Sequence, residues 1–450
     1  MKRQHLKKSF TEKAPFLGFV LLSAMLAAQG QKPIDQSVYR PPDYATFIPP
    51  PRGESYTDET FRYSIQRLSD ATKIQDVAAG NGYVPFVTAE YSTMSPFNQD
   101  NSRLLLQHGS YFALYDQAGK FLNNLPFEVS ASSEPRWARN APNILYYHAG
   151  NQLKQLNVSR NSTSVVQVFS EYSKISGAGE SDICFDGDHL VFAGDGRFIF
   201  VYDLKTRKKG RVLDAGGQSF DSLYITPDDH VTVTWSSAGD HSGIELFDQD
   251  MKFIRRVAPK GGHMDVTRDI DGEESLLWAN AADPMPVCEN GIVKIRLSDS
   301  TQTCLIRLDW SLAVHVSATD NSGWFFVETY APKDPDAAAD GWKLYTNEIL
   351  QVKLDGTEVR RLAHHRSRPF GSYNYTPRVS ASRDGARIVF SSNYGLRSLA
   401  ESALADARGG KKASLEKLRD ALRASAASLA GYQNPQYSDV YSVKLDANPR

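Results

Sequence analysis

The sequence predicts an all-β fold, a seven-bladed β-propeller. Two observations predict it. A unit of strand, turn, strand, loop and strand recurs seven times, starting at Ser95, Pro135, Ile183, Leu223, Val266, Val316 and Val379, about 40 to 63 residues apart. Each copy is followed by a fourth short strand before the next begins, as at Phe253-Ile-Arg-Arg-Val257. Four strands per unit at such a period is the signature of a propeller, because one blade cannot bury both of its faces and a closed ring can. Composition agrees. Of 450 residues 41% are hydrophobic, 23% charged and 11% aromatic, an aromatic share that favours β structure. Lys+Arg is 51 against Asp+Glu 52, a net charge of −1. That balance excludes the basic field of a nucleic-acid binder and a polybasic membrane arm.

Residues 1–30 read as a secretory signal peptide. Lys2, Arg3, Lys7, Lys8 and Lys13 precede an apolar run from Ala14 to Ala28, and Ala28-Gln29-Gly30 is a small-x-small cleavage signal. The run is shorter than the ~20 residues a spanning helix needs, so no membrane span is expected after cleavage. The mature protein is therefore expected to be periplasmic or secreted. Residues 31–57 carry Pro33, Pro41, Pro42, Pro49, Pro50 and Pro51, a density that forbids helix and central strand and reads as an extended linker. The propeller is assigned to residues 58–450.

Within the blades, strands alternate apolar and polar residues, as in Val231-Thr-Val-Thr-Trp235 and Ile292-Val-Lys-Ile-Arg-Leu297. The third strand of a unit often ends near Asp. The seventh copy stops near Leu445 with three strands, so the missing strand is expected from Phe61–Leu68, upstream of the first copy. Closing the ring from both chain ends leaves no open edge. Insertions fall in the last three blades, after Asn280, after Ala331 and across residues 394–438. The last has Leu415, Leu418, Leu422 and Leu429 at helical spacing and Gly409-Gly410 as a break, which predicts a helical hairpin serving as a lid, a partner surface or mere decoration. Of three cysteines, Cys288 and Cys304 flank a hairpin turning near Asp299 but are not symmetric about it. They are not expected to face each other directly, so three buried thiols stand beside a disulfide as readings.

Aligned inner strands place Met94, Glu134, Asp182, Ser222, Asp265, His315 and Arg378 at equivalent positions around the channel. A water-filled, ion-paired lining explains such a ring. A site biased towards blades five to seven explains more: His263, Asp265, His315 and Arg378 with Tyr373 and Tyr375, the His364-His365-Arg366 and Arg368 connection, and Trp342 and Tyr345 from blade six. Arg neutralises a carboxylate, His or Tyr moves a proton, and an aromatic face stacks on a sugar. The candidate catalytic residues are His263, His315, Arg378 and Tyr375. The candidate ligand contacts are Asp265, Tyr373, His365, Arg368 and Trp342. The ligand class they suit is an acidic carbohydrate, with a protein partner as the other option. Gly194-Asp195-Gly196 reads as a hairpin turn and not a phosphate loop, and no nucleophile elbow, HExxH, Walker or EF-hand motif is present.

Val379-Ser-Ala-Ser-Arg-Asp-Gly385 and its counterparts resemble TolB-like and WD40-like propeller repeats. Asp58–Ser69, the Gly262-His263 pair, His315 opening blade six and the 374–393 segment are more specifically similar to the oligogalacturonate lyase type of propeller. That resemblance implies a polysaccharide lyase acting by β-elimination, with a divalent metal, usually manganese, held by His residues and a Gln. Where the family has Gln-x-x-His-x-His, this chain has Tyr373, Thr376 and Arg378. Arg cannot deprotonate to bind a metal. The metal motif is therefore not retained, and the expected metal ligands are none. A manganese site rebuilt from His263, His315 and His365 is the alternative. Function is left between a binding propeller of the cell envelope and a lyase-like enzyme.

Overall fold

A computed structural model describes residues 34–44, 46–237, 239–279, 287–338, 341–369, 376–395 and 437–445. Among them the strands form seven antiparallel sheets, six of four strands and one of five. Blade one spans Val87–Thr88 to Phe121–Asn124, blade two Arg136–Trp137 to Ser162–Val168, and blade three Ile175–Ser176 to Lys208–Asp214. Blade four spans Phe220–Ile225 to Phe253–Ala258, blade five Met264–Arg268 to Gln302–Arg307, and blade six Ala313–Ser317 to Val359–His364. The architecture is the seven-bladed propeller that the repeats predict.

Blade seven is made from both ends of the chain. Its inner strands Ser380–Ala381, Arg387–Ser392 and Asp439–Lys444 are followed by Ser64–Arg67, with Ile65 opposite Val443, and then by a fifth strand, Ser55–Thr57. The strand expected from Phe61–Leu68 therefore closes the ring. The 394–438 insertion lies outside the described residues apart from Tyr394, Gly395, Tyr437 and Ser438.

The recurrent Asp at the end of the third strand has a local cause. Asp116, Asp203 and Asp355 each accept the N–H two residues on, at 2.9, 2.8 and 2.9 Å, an Asx turn that stops the strand and starts the hairpin. Asp195 and Gly196 both have positive φ, 51° and 68°, between Gly194 and Phe198. With the Arg197 N–H bonded to the Gly194 carbonyl at 3.0 Å, this is a tight three-residue hairpin loop, as the sequence suggests.

Apolar faces meet between blades. One cluster holds Leu105, Phe112, Trp137 and Leu145 between blades one and two. Another joins Val389 and Val440 of blade seven to Val87 and Leu106 of blade one, so the apolar layer runs round the closure. Burying each such side chain contributes about 1.5–3 kcal/mol, which makes the ring cooperative.

Two expectations are corrected. Residues 34–57 are extended but packed on blades six and seven rather than acting as a spacer: Arg366 pairs with Asp43 at 2.9 Å, and Phe47 joins the blade-seven core. Cys288 and Cys304 form a disulfide, with Cα atoms 5.0 Å apart. Counting from the turn fails because Cys288 lies before the strand Gly291–Arg296 and folds back over it. A Cβ on Gly291 would come within 2.8 Å of the Cys288 sulfur, and the register also slips between Ile292 and Val293. Cys184 is a buried free thiol.

Candidate functional site

The inner strands converge on an axial channel. One cavity in it is lined from every blade, by Thr93, Arg139, Asp182, Tyr224, Asp265, Ser317 and Arg383 among others. At the end where the inner strands leave the channel, Asp182 accepts from Arg383 at 2.9 Å and pairs with Arg139 at 3.4 Å. Arg139 also binds Asp320 at 2.6 Å. Asp182 thus belongs to an ion-pair network, the structural reading of the acidic ring.

The other end is built differently because two inner strands are interrupted. In blade one, Thr88 pairs with Gln107, and the next bridge is Phe97 to Leu104. In blade three, Ser176 pairs with Ala193, and contact resumes where Cys184 N–H meets the His189 carbonyl. Residues 89–96 and 177–183 are too many to stay in register, so they bulge into the channel, where the Thr93 hydroxyl donates to the Glu180 carbonyl at 3.0 Å.

Tyr91, on the first bulge, organises the mouth. Its hydroxyl lies 2.9 Å from His263 Nδ1, and its ring meets His315 edge-on at 5.6 Å. The His263 and His315 rings are 4.6 Å apart. Blade seven pins the same segment: Arg378 donates to the Glu90 carbonyl at 3.2 Å and the Ser380 hydroxyl to that of Tyr91 at 2.8 Å. His315 is 1% exposed and Arg378 4%, so both lie beneath this layer, while His263 meets solvent. His315 Nδ1 is bonded to the buried Glu328 carboxylate and its ring stacks on Tyr330.

The titration states follow from enclosure. His263 is lowered to about 4 because protein atoms crowd its inner edge and His315 stands beside it, although its outer edge is wet. It is a neutral imidazole at pH 7. Burial raises Glu90 to about 7 against the pull of Arg136, which it meets at 3.0 Å. Burial likewise raises Glu180 to about 7, with Tyr224 and His315 opposing and Asp221 adding. Asp265 is pushed well up by burial despite accepting from Val266 and Ala318 at 2.8 and 2.7 Å.

The structure thus brings His263, His315 and Arg378 together around Glu90 and Tyr91, with Asp265 deeper in the channel. It does not bring the outer residues to them. His365 is buried, donating from Nε2 to the Thr329 carbonyl and accepting the Ser367 N–H, each at 3.0 Å. Arg368 stacks on Tyr44 and donates to its carbonyl, while Trp342 packs edge-on against Tyr44 at 4.7 Å. Their partners are in the amino-terminal arm and, at Asp334, Asp336 and Asn393, in blades six and seven, not in the channel. Tyr373 and Tyr375 lie outside the described residues. Tyr91, Glu90 and Glu180 escape an alignment of the inner strands, because such an alignment assumes no insertions. The run Ala89-Glu-Tyr-Ser-Thr-Met94, too polar to be core, was the available signal.

The donors do not fit the family's manganese site. His365 has both nitrogens engaged, and Thr376 and Arg378 stand where the family has two further histidines; His263 and His315 are held through Nδ1, as metal-ligating imidazoles commonly are, so the misfit lies in the missing partners. Among the described residues, the channel histidines form no group of three candidate ligands.

No family model and no curated protein sequence matches the chain. Solved structures do. The oligogalacturonate lyase of Vibrio parahaemolyticus superposes with a TM-score of 0.55 at 11% identity, over 88% of this chain and 96% of that one. An oligogalacturonate lyase in complex with manganese gives 0.54 at 15% identity, with the same coverage. The chain has the fold of these lyases. Identity this low speaks for the fold alone, and the site must be argued from its own residues.

Proposed function

We propose that the protein is an exported propeller that binds an acidic glycan at the channel mouth beside blades five to seven. The observation that carries this reading is the meeting of His263, His315 and Arg378 on the Glu90–Tyr91 segment. Tyr91 and His263 offer a ring face and hydrogen-bonding groups at the surface, and Arg378 adds positive potential from beneath. Glu90 and Glu180 are half protonated near pH 7, which limits their repulsion of an anion. Export to the periplasm or beyond is supported by the Lys-rich start, the apolar run and the Cys288–Cys304 disulfide.

A second reading, a lyase acting on uronate chains, is favoured by the neutral His263 bonded to the Tyr91 hydroxyl. In β-elimination the proton beside the carboxyl passes to a base. The bond from the neighbouring carbon to the leaving oxygen breaks, and a carbon–carbon double bond forms. His263 is the candidate base and Tyr91 the candidate acid.

Calorimetric titration with oligogalacturonate and with a neutral oligosaccharide of equal length tests both readings when the absorbance of the unsaturated product is followed in parallel. Binding of the acidic chain only is expected, weakened about tenfold or more in His263→Ala. No heat with any uronate chain sinks the binding reading. Binding without unsaturated product sinks the lyase.

A further inference from the structure

Blades three and four also meet at the far end of the inner strands from His263. Cys184 and Asp186 lie in the turn leading to the strand His189–Gly194, which His189 opens. Asp229 lies in the corresponding turn of blade four, just before Val231–Trp235. One ligand atom from each of Cys184, Asp186, His189 and Asp229 can be chosen so that all four lie within 4.8 Å of one another. We propose that these four residues bind a zinc-like divalent cation that clamps blade three to blade four.

The donor set is that of a closed structural site: one sulfur, one imidazole and two carboxylates, enough for a tetrahedron without water. Sulfur and imidazole favour zinc over calcium or magnesium, which take oxygen ligands. Bonds of about 2.0–2.3 Å to such an ion require the ligand atoms to close in by about 1 Å or less. His189 Nδ1 stands 3.1 Å from Asp229 Oδ1 and 3.6 Å from Asp186 Oδ2. His189 Nδ1 and Asp229 Oδ1 are both buried and face each other as an ion pair, so a cation bound between them takes the place of a proton.

The surroundings fit as well. The His189 backbone N–H donates to the Cys184 sulfur at 3.0 Å, a bond that steadies a metal-bound thiolate. His189 Nε2 faces Asp203 at 3.9 Å, which orients the ring. Asp186 is exposed and gives the ion a route in. On binding, the Cys184 thiol releases its proton to solvent as the sulfur–metal bond forms.

Cobalt(II) is the probe, added to the full, oxidised chain after chelation and dialysis. Cys184 is the one cysteine outside the disulfide, so a sulfur-to-cobalt charge-transfer band reports this site and no other. One cobalt per chain with that band is expected, together with a rise in Tm on adding zinc. The band is expected to vanish in Cys184→Ser, and affinity to fall about tenfold or more in Asp229→Asn with unchanged far-UV circular dichroism. Absence of the band in the wild-type protein overturns the proposal, as does full cobalt affinity in folded Asp229→Asn. Neither result bears on glycan binding at the opposite mouth.

Discussion

Glu180 and Glu90 sit at the channel mouth with carboxyls held near 7, so their charge changes within the physiological range. Both are deprotonated well above pH 7 and add negative charge beside His263 and Arg378. Affinity for an acidic glycan is therefore expected to rise as pH falls from about 8 to 6, and Glu180→Gln should flatten that rise; calorimetry across this range checks it. His263 does not interfere, because it stays neutral until about pH 4. A raised carboxyl binds its proton more tightly in the folded protein, so the same groups cost stability as pH climbs from their unfolded values through 7. His315 acts through its neighbours. Locked on Glu328 and stacked on Tyr330, it holds the His263 ring in place and has no direct path to a ligand at the surface.

The amino-terminal arm is held by three arginines from the end of blade six and the connection after it. Arg361 donates to the Ser37 carbonyl at 2.7 Å and lies over Tyr39. Arg366 pairs with Asp43 and lies over Phe47, and Arg368 lies over Tyr44. Proline explains why this segment stays extended, and cation–π stacking on its aromatics explains why it docks. Arg366 is also 3.5 Å from the fully buried Asp58. Arg366→Met should destabilise the protein by about 1–3 kcal/mol, because it removes the Asp43 pair and one of the two basic side chains beside that carboxylate, which keeps His364 and the Thr60 and Phe61 N–H groups. Urea unfolding with an unchanged m-value measures the loss. The arginines that resembled a ligand site in the sequence are thus fasteners, and their partners lie about 300 residues upstream.

Ring closure rests on a buried ion pair between the chain ends. Asp439 accepts from Arg67 at 2.7 Å, from the Ser69 hydroxyl at 2.8 Å and from the Ala71 N–H at 2.8 Å. Asp439→Ala leaves the buried Arg67 with only the more distant Asp70 carboxylate, at 3.6 Å, and strips the Ser69 and Ala71 donors of their acceptor, at an expected cost of about 3 kcal/mol. Early proteolysis at the blade-seven seam and a lowered denaturant midpoint would show it. Acid acts on the same seam. Burial alone would raise Asp58, but His364 and Arg366 hold it down at about 2, against 3.8 for a free carboxyl. Its contribution, about 2 kcal/mol, is complete above about pH 5 and is lost as pH falls through 2. A fall in Tm below about pH 4 that Asp58→Asn reduces is the expected outcome.

Repeat period, strand alternation and the Asp that ends several of the third strands are local properties, so the sequence by itself determined the seven blades and the closure by Ser64–Arg67. It also brought His263, His315 and Arg378 into one candidate group, because a repeat places equivalent residues at equivalent positions on the inner strands. Only the tertiary structure decided which residues meet across the ring. Tyr91 reaches the site because an inner strand bulges, and Arg368 and Trp342 leave it because the arm folds back on blade six. Cys288 meets Cys304 because the chain curls over Gly291. Each is a contact set by where the backbone departs from the repeat, and periodicity carries no information about departures from itself.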